Sequence, residues 1–179
     1  DGKAILFATT MTSFKDRFNQ LYQVSAEGGL PEKLPMPYGE FGAISPNGKS
    51  IVFTTISVDF RTWKRYRGGM NPDLWLFDLT TFKARNLTQS SSAESLPMWH
   101  GNLIYFLSDR DESKRFNLWS LDLANDRMKQ MTFFKDFDVH FPSMGPNDIV
   151  FENAGRLFLL DLKTEKSREV EISVTTDRS

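Results

Sequence analysis

The chain contains no cysteine, so disulfides, thiolate nucleophiles and cysteine-ligated zinc are all excluded. That absence is compatible with either cytoplasm or periplasm. Histidine is nearly absent too, with only His100 and His140. An oriented acid–base triad would have to use one of them. His100 falls in a turn after Trp99 and His140 in a strand beside Phe141, settings in which histidine is a packed or surface residue. There is no Gly-x-Ser-x-Gly elbow, no glycine-rich phosphate cradle and no complete calcium loop. No catalytic residue, metal site or cofactor is therefore expected in these 179 residues. No apolar run approaches the roughly 20 residues that span a bilayer. Charge of one sign is missing as well: 22 basic against 23 acidic residues leave a net charge of -1. Neither nucleic acid nor an anionic membrane is expected as partner. The opening Asp1-Gly2-Lys3 reads as a turn entering a strand, which suggests a start inside a larger protein.

What is present is a phrase written three times: Leu74-Trp75-Leu76-Phe77-Asp78-Leu79, Leu118-Trp119-Ser120-Leu121-Asp122-Leu123 and Leu157-Phe158-Leu159-Leu160-Asp161-Leu162. The steps from Asp78 to Asp122 and from Asp122 to Asp161 are 44 and 39 residues. A period of about 40 to 45 residues is that of propeller blades. A second phrase precedes each copy: a turn (Pro46-Asn47-Gly48-Lys49, His100-Gly101-Asn102, Gly145-Pro146-Asn147-Asp148) and then an apolar strand ending in Phe53, Phe106 or Phe151. Asn-Gly and Asp-Gly reach positive φ cheaply and close tight hairpins. The strands after them are rich in Ile, Val, Phe and Tyr.

The middle strands are apolar on both faces, whereas a sheet with one wet face would alternate. Radially stacked blades bury both faces, and no helical stripe competes. The fold class implied is all-β: a partial β-propeller of WD40-like or TolB-like four-stranded antiparallel blades, about three and a half of an expected six. Residues 1–38 form an incomplete blade lacking its opening strand. A blade over 39–90 carries an inserted basic loop at 58–72, and further blades follow at 91–134 and 135–175. The aspartates at 78, 122 and 161 are expected to hydrogen-bond the backbone of the turn after them. So few blades cannot close a ring, so the end blades should expose apolar flanks and self-association is expected.

The insertion breaks the rhythm. From Phe53 to Leu74 is 21 residues, against 12 from Phe106 to Leu118 and 6 from Phe151 to Leu157. Phe60 to Arg67 holds four basic residues and three aromatics, followed by Gly68-Gly69 and Pro72. Long loops on rigid scaffolds carry function. Arg61, Trp63, Lys64, Arg65, Tyr66 and Arg67 are candidates for peptide passage or for inter-domain packing, with Gly68 and Gly69 as a structural turn. Guanidinium forks suit carboxylates. Equally, Trp63 and Tyr66 can pack across a blade while the basic groups pair or snorkel. Asp109-Arg110-Asp111-Glu112 has the carboxylates of a cation site, but not its spacing.

Trp63-Lys64-Arg65-Tyr66-Arg67-Gly68-Gly69 followed by Leu74-Trp75-Leu76 resembles the N-terminal six-bladed propeller of tricorn-type proteases. Met98-Trp99 to Asp109-Arg110, Thr132-Phe133 through Asp136 to Val139, and Ile149 to Leu162 follow the same pattern, so the resemblance covers nearly the whole chain. It implies a parent with two propellers, a PDZ-like domain and a serine-protease site in C-terminal domains that cleaves short peptides, the propellers acting as selective passages. No segment here matches the catalytic regions. The partners implied are the remaining blades, the protease domains and peptides. Two other readings remain: a TolB-like protein-binding propeller, and the propeller of a dipeptidyl-peptidase-like hydrolase.

Overall fold

The computed structural model describes residues 2–11, 18–57 and 66–173. Among these described residues fifteen strands form four antiparallel sheets, each built by chain-consecutive strands. The first sheet has three: β1 (Ala4–Thr9), β2 (Gln20–Ser25) and β3 (Glu32–Lys33). The second has β4 (Gly42–Ile44), β5 (Ser50–Thr54), β6 (Leu74–Asp78) and β7 (Ala84–Asn86). The third has β8 (Glu94–His100), β9 (Leu103–Ser108), β10 (Asn117–Asp122) and β11 (Arg127–Gln130). The fourth has β12 (Val139–Met144), β13 (Asp148–Asn153), β14 (Arg156–Asp161) and β15 (Ser167–Glu169). Among the described residues the first sheet has no counterpart of the opening strands β4, β8 and β12 of the other three. The expected partial propeller is what the chain forms.

Every other residue of a strand faces one neighbouring blade, and the rest face the other. Ile51 and Phe53 of β5 pack towards the first blade, with Leu21, Leu34 and Phe77. Between them, Val52 packs on the third blade with Leu74, Ile104, Phe106 and Leu121. Tyr105 and Leu107 of β9 point the opposite way, onto Val139, Ile149, Phe151 and Leu160 of the fourth. This two-sided burial is why the middle strands do not alternate in polarity. A fully buried Leu or Phe contributes about 1.5–3 kcal/mol, so the three seams between blades are the core.

Close approach at the first seam requires glycine. A Cβ on Gly42 would lie 2.9 Å from Ile51 Cδ1, 3.2 Å from Leu21 Cδ1 and 3.3 Å from the Val52 carbonyl oxygen. Gly42→Ala should therefore cost about 1–2 kcal/mol by overpacking, read as a lowered urea midpoint at unchanged slope. A neutral substitution would show that β4 can withdraw from β5.

Among the described residues no hydrophobic cluster joins the fourth blade to the first. The consequence is visible in the repeated phrase itself. Its opening leucine is 0% exposed at Leu74 and Leu118 but 38% exposed at Leu157. Phe141 of β12 is likewise 62% exposed, whereas Leu96, at the same place in β8, packs on the third seam.

The first strands β4, β8 and β12 lie side by side, β8 touching both others and β5 as well. Two of them depart from regular pairing. The register shifts between Ser95 and Met98 against β9, and between His140 and Ser143 against β13. Leu96 and Phe141 take φ of 50° and 49° there, each just before a proline. The sequence pattern places the third blade's opening strand at Leu96 to Trp99; it begins two residues earlier, at Glu94, because the bulge hides the alternation.

Candidate functional site: the insertion end of the second seam

In each complete blade the connections after the fourth strand and between the second and third strands emerge at one end. The insertion therefore shares its end with the loops at 87–93 and 109–116. Arg61, Trp63, Lys64 and Arg65 lie outside the described residues; Tyr66 to Pro72 is the limb that returns to β6. Tyr66 is 43% exposed, and its ring folds against Gly68, where a Cβ would collide with the phenol. The Asn71 N–H donates to the Gly68 carbonyl at 2.9 Å, forming a turn at Gly68. Gly69 has open space around it.

Arg67 turns back onto the third blade. Its Nη1 donates to Asp109 Oδ1 at 2.9 Å and to the Ser91 carbonyl at 3.0 Å. Asn71 Nδ2 donates to the same carbonyl at 2.6 Å, and the Glu94 N–H reaches the Pro72 carbonyl at 3.0 Å. Asp109 is buried and accepts also from the Ala93 N–H at 2.9 Å. One of the insertion's four basic groups is thus engaged by the scaffold. Asp73, at the limb's end, fastens the neighbouring loop through Thr88 Oγ1, the Ser90 N–H and Asn86 Nδ2.

A second ion pair lies directly behind the first. Glu94, the first residue of β8, has a side chain with 0% exposure, and Arg110 Nη2 donates to its Oε1 at 2.8 Å. Ser90 Oγ and Ser108 Oγ donate to the same oxygen at 3.0 and 3.1 Å. The Arg110 guanidinium carbon sits 5.3 Å from the Trp119 ring centre and 5.8 Å from that of Phe106, a cation–π arrangement. Among the described residues, the buried side-chain polar atoms without a hydrogen bond are Glu94 Oε2, Thr54 Oγ1 and Trp119 Nε1. Strand alternation puts all three on the seam between the second and third blades. Burial raises the Glu94 carboxyl above its ordinary value, against the hydrogen bond and charge of Arg110, with Ser90 opposing it and Asp73 adding to it.

Two of the three carboxylates in Asp109-Arg110-Asp111-Glu112 are spent within the protein. Asp109 holds Arg67, while Asp111 accepts from Ser113, Asn117 Nδ2 and Gln130 Nε2. No group of three His, Asp or Glu side chains among the described residues is placed to hold a metal. The repeated aspartates act as expected: Asp78 Oδ1 accepts from the Thr80 and Thr81 N–H groups, Asp122 Oδ1 from Ala124, and Asp161 Oδ1 from Lys163 and Thr164. Those backbone donors lower the carboxyls of Asp78 and Asp161. The His140 ring lies tilted against that of Phe141, ring centres 5.7 Å apart and planes at 36°, and His100 ends β8. Sequence reasoning missed Glu94 as the partner of Arg110. Its signal was a lone acid opening an apolar strand, two residues before the bulge.

Radial blades with an ionic lock at one end of a seam define a β-propeller whose described part is built from scaffold interactions. A family profile described as the tricorn protease N-terminal beta propeller domain matches residues 1–166. The chain belongs to that family. The tricorn protease homolog of Saccharolobus solfataricus is 30% identical over 162 residues, covering 90% of this chain and 15% of its own length. Among solved structures, a putative TolB from Agrobacterium tumefaciens superposes with a TM-score of 0.73 at 18% identity, over 94% of this chain and 61% of that one. The tricorn protease crystal structure does so at 0.61 and 18%, over 100% of this chain and 22% of that one. At such identities the structural likeness establishes the fold alone. The chain spans about 15% of the length of the curated relatives it matches.

Proposed function

We propose that this chain is a non-catalytic propeller segment of a tricorn-like serine protease that degrades short peptides, serving substrate gating and assembly. The observation that supports the gating role is the Arg67 anchor: the described limb of the insertion, from Tyr66 to Pro72, is fastened to the third blade's end of the seam through Asp109 and Ser91. Family membership and relatives named as tricorn proteases support the protease context. The candidates Arg61, Trp63, Lys64, Arg65 and Tyr66 are read as the groups that meet peptides or a neighbouring domain. A cationic loop attracts peptide carboxylates and acidic side chains.

The test uses the full-length protease encoded around this segment. Replacing residues 58–66 by a short Gly-Ser linker should lower kcat/KM for peptides with a free C-terminus about tenfold or more, and change C-terminal amides less. Equal kinetics for loop-deleted and native enzyme would overturn the gating role. Turnover of a peptide-coumarin substrate by residues 1–179 alone, abolished by a serine-directed inhibitor, would overturn the non-catalytic reading.

The assembly role has its own measurement. With Leu157 and Phe141 uncovered on the fourth blade, the purified chain should self-associate, its light-scattering mass rising with concentration. A constant monomer mass would remove the fourth blade's outer face as an interaction surface.

A further inference from the structure

Arg110 is a guanidinium at the insertion end of the seam, 20% exposed, whose carboxylate partner comes from inside the protein. We propose that Glu94 is a built-in carboxylate competitor that masks Arg110, and that protonating Glu94 hands Arg110 over to the carboxylate of a peptide arriving at this end of the propeller. The proposal rests on the gating reading and adds its regulation.

Three observations carry it. Glu94 Oε1 already holds Arg110 Nη2, Ser90 Oγ and Ser108 Oγ, while Oε2 has no hydrogen bond. Arg110 lies across Trp119 and Phe106, so its guanidinium stays supported by ring faces if the carboxylate lets go. Arg67 and the returning limb of the insertion lie beside it, joined through the adjacent Asp109.

The charged groups around Glu94 are Arg110 from the β9–β10 loop, Asp73 ahead of β6, and the Arg67–Asp109 pair; Thr54, Ser90 and Ser108 are uncharged. Arg110 favours the anion, and Asp73 and burial oppose it, with burial the largest effect. A peptide C-terminus stays ionised down to about pH 3.5. The ordinary value for Glu94 is 4.5 and the folded protein raises it. A pH window therefore exists in which Glu94 is protonated while the peptide remains an anion.

Two readouts separate this idea from the gating reading. Carbon-13 NMR of the Glu94 carboxyl, followed with the Arg110 Nε resonance, should show both moving at one midpoint above that of an exposed glutamate. Binding of N-acetyl-alanyl-alanine should tighten roughly tenfold as pH falls through that midpoint, the scale of one charge-assisted hydrogen bond. Its C-terminal amide should show no such change. Glu94→Gln should bind the acid at the tighter level at every pH. The proposal is overturned if Arg110 Nε ignores the Glu94 titration, or if Glu94→Gln binds the acid no better than native protein at pH 7. Loop-deletion kinetics can fail while the NMR coupling stands, which would sink the gating role and leave the masking of Arg110 intact.

Discussion

Arg110→Met is expected to be among the most damaging single substitutions in the chain, costing about 3–5 kcal/mol at pH 7. The cost arises because Glu94, wholly buried, is left as an uncompensated charge. Glu94→Gln should cost far less, about 1 kcal/mol or under, since the serines keep an acceptor and Arg110, part-exposed and lying over Trp119 and Phe106, is not stranded. The asymmetry is the test: a buried pair is weak evidence of stability as a pair, yet breaking it from one side is expensive. Chemical denaturation at pH 7 and pH 5 reads both. The native Glu94 carboxyl is raised in the fold, so the unfolded chain gives up this proton first as pH rises. Stability linked to Glu94 is thus fully present below pH 4.5 and lost as pH climbs through the folded value. Removing Arg110 raises the carboxyl further, so Arg110→Met should recover part of its loss at pH 5. Equal deficits at both pH values would mean that Glu94 is not the group left stranded.

Leu118→Ala should lose about 2–5 kcal/mol, and Leu157→Ala about 1 kcal/mol or less, although the two residues open the same repeated phrase. Leu118 is fully enclosed between the third and fourth blades, so truncation leaves a cavity as well as losing apolar burial. Leu157 has no blade beyond it among the described residues and stays 38% exposed. Urea midpoints of the two variants measure the contrast directly. In a longer protein that covers this flank, Leu157→Ala should become as costly as Leu118→Ala. Equal losses in the isolated chain would show that its fourth blade is already covered, by self-association or otherwise.

Much of the fold was legible in particular residues. Leu103–Ser108 and Arg156–Asp161 are strands at the positions their patterns mark, because a tight turn before them and apolar side chains on both faces leave few alternatives. The turn roles of Asp78, Asp122 and Asp161 were legible for the same local reason: a carboxylate two residues before an N–H has that donor within reach. The opening strand of the third blade was legible only in part, since Leu96-Pro97 adds a residue to the strand and breaks its period. The Glu94–Arg110 pair was not legible: the two side chains come from different strands' ends, and only pairing of β8 with β9 brings them together.

By itself the sequence determined the blade: its period, its turns, its two-faced apolar strands and the interrupted rhythm at 58–72. All of these are local, set by side-chain alternation and turn chemistry over a few residues. Only the tertiary structure decided what each charge does. Stacking the second blade on the third put Arg67 against Asp109 and enclosed Glu94 with Arg110, making the charged stretch after β9 a scaffold lock. Stacking also decided which copy of one leucine is core and which is surface. Burial depends on the neighbour across the seam, and a repeat unit carries no record of whether that neighbour is there.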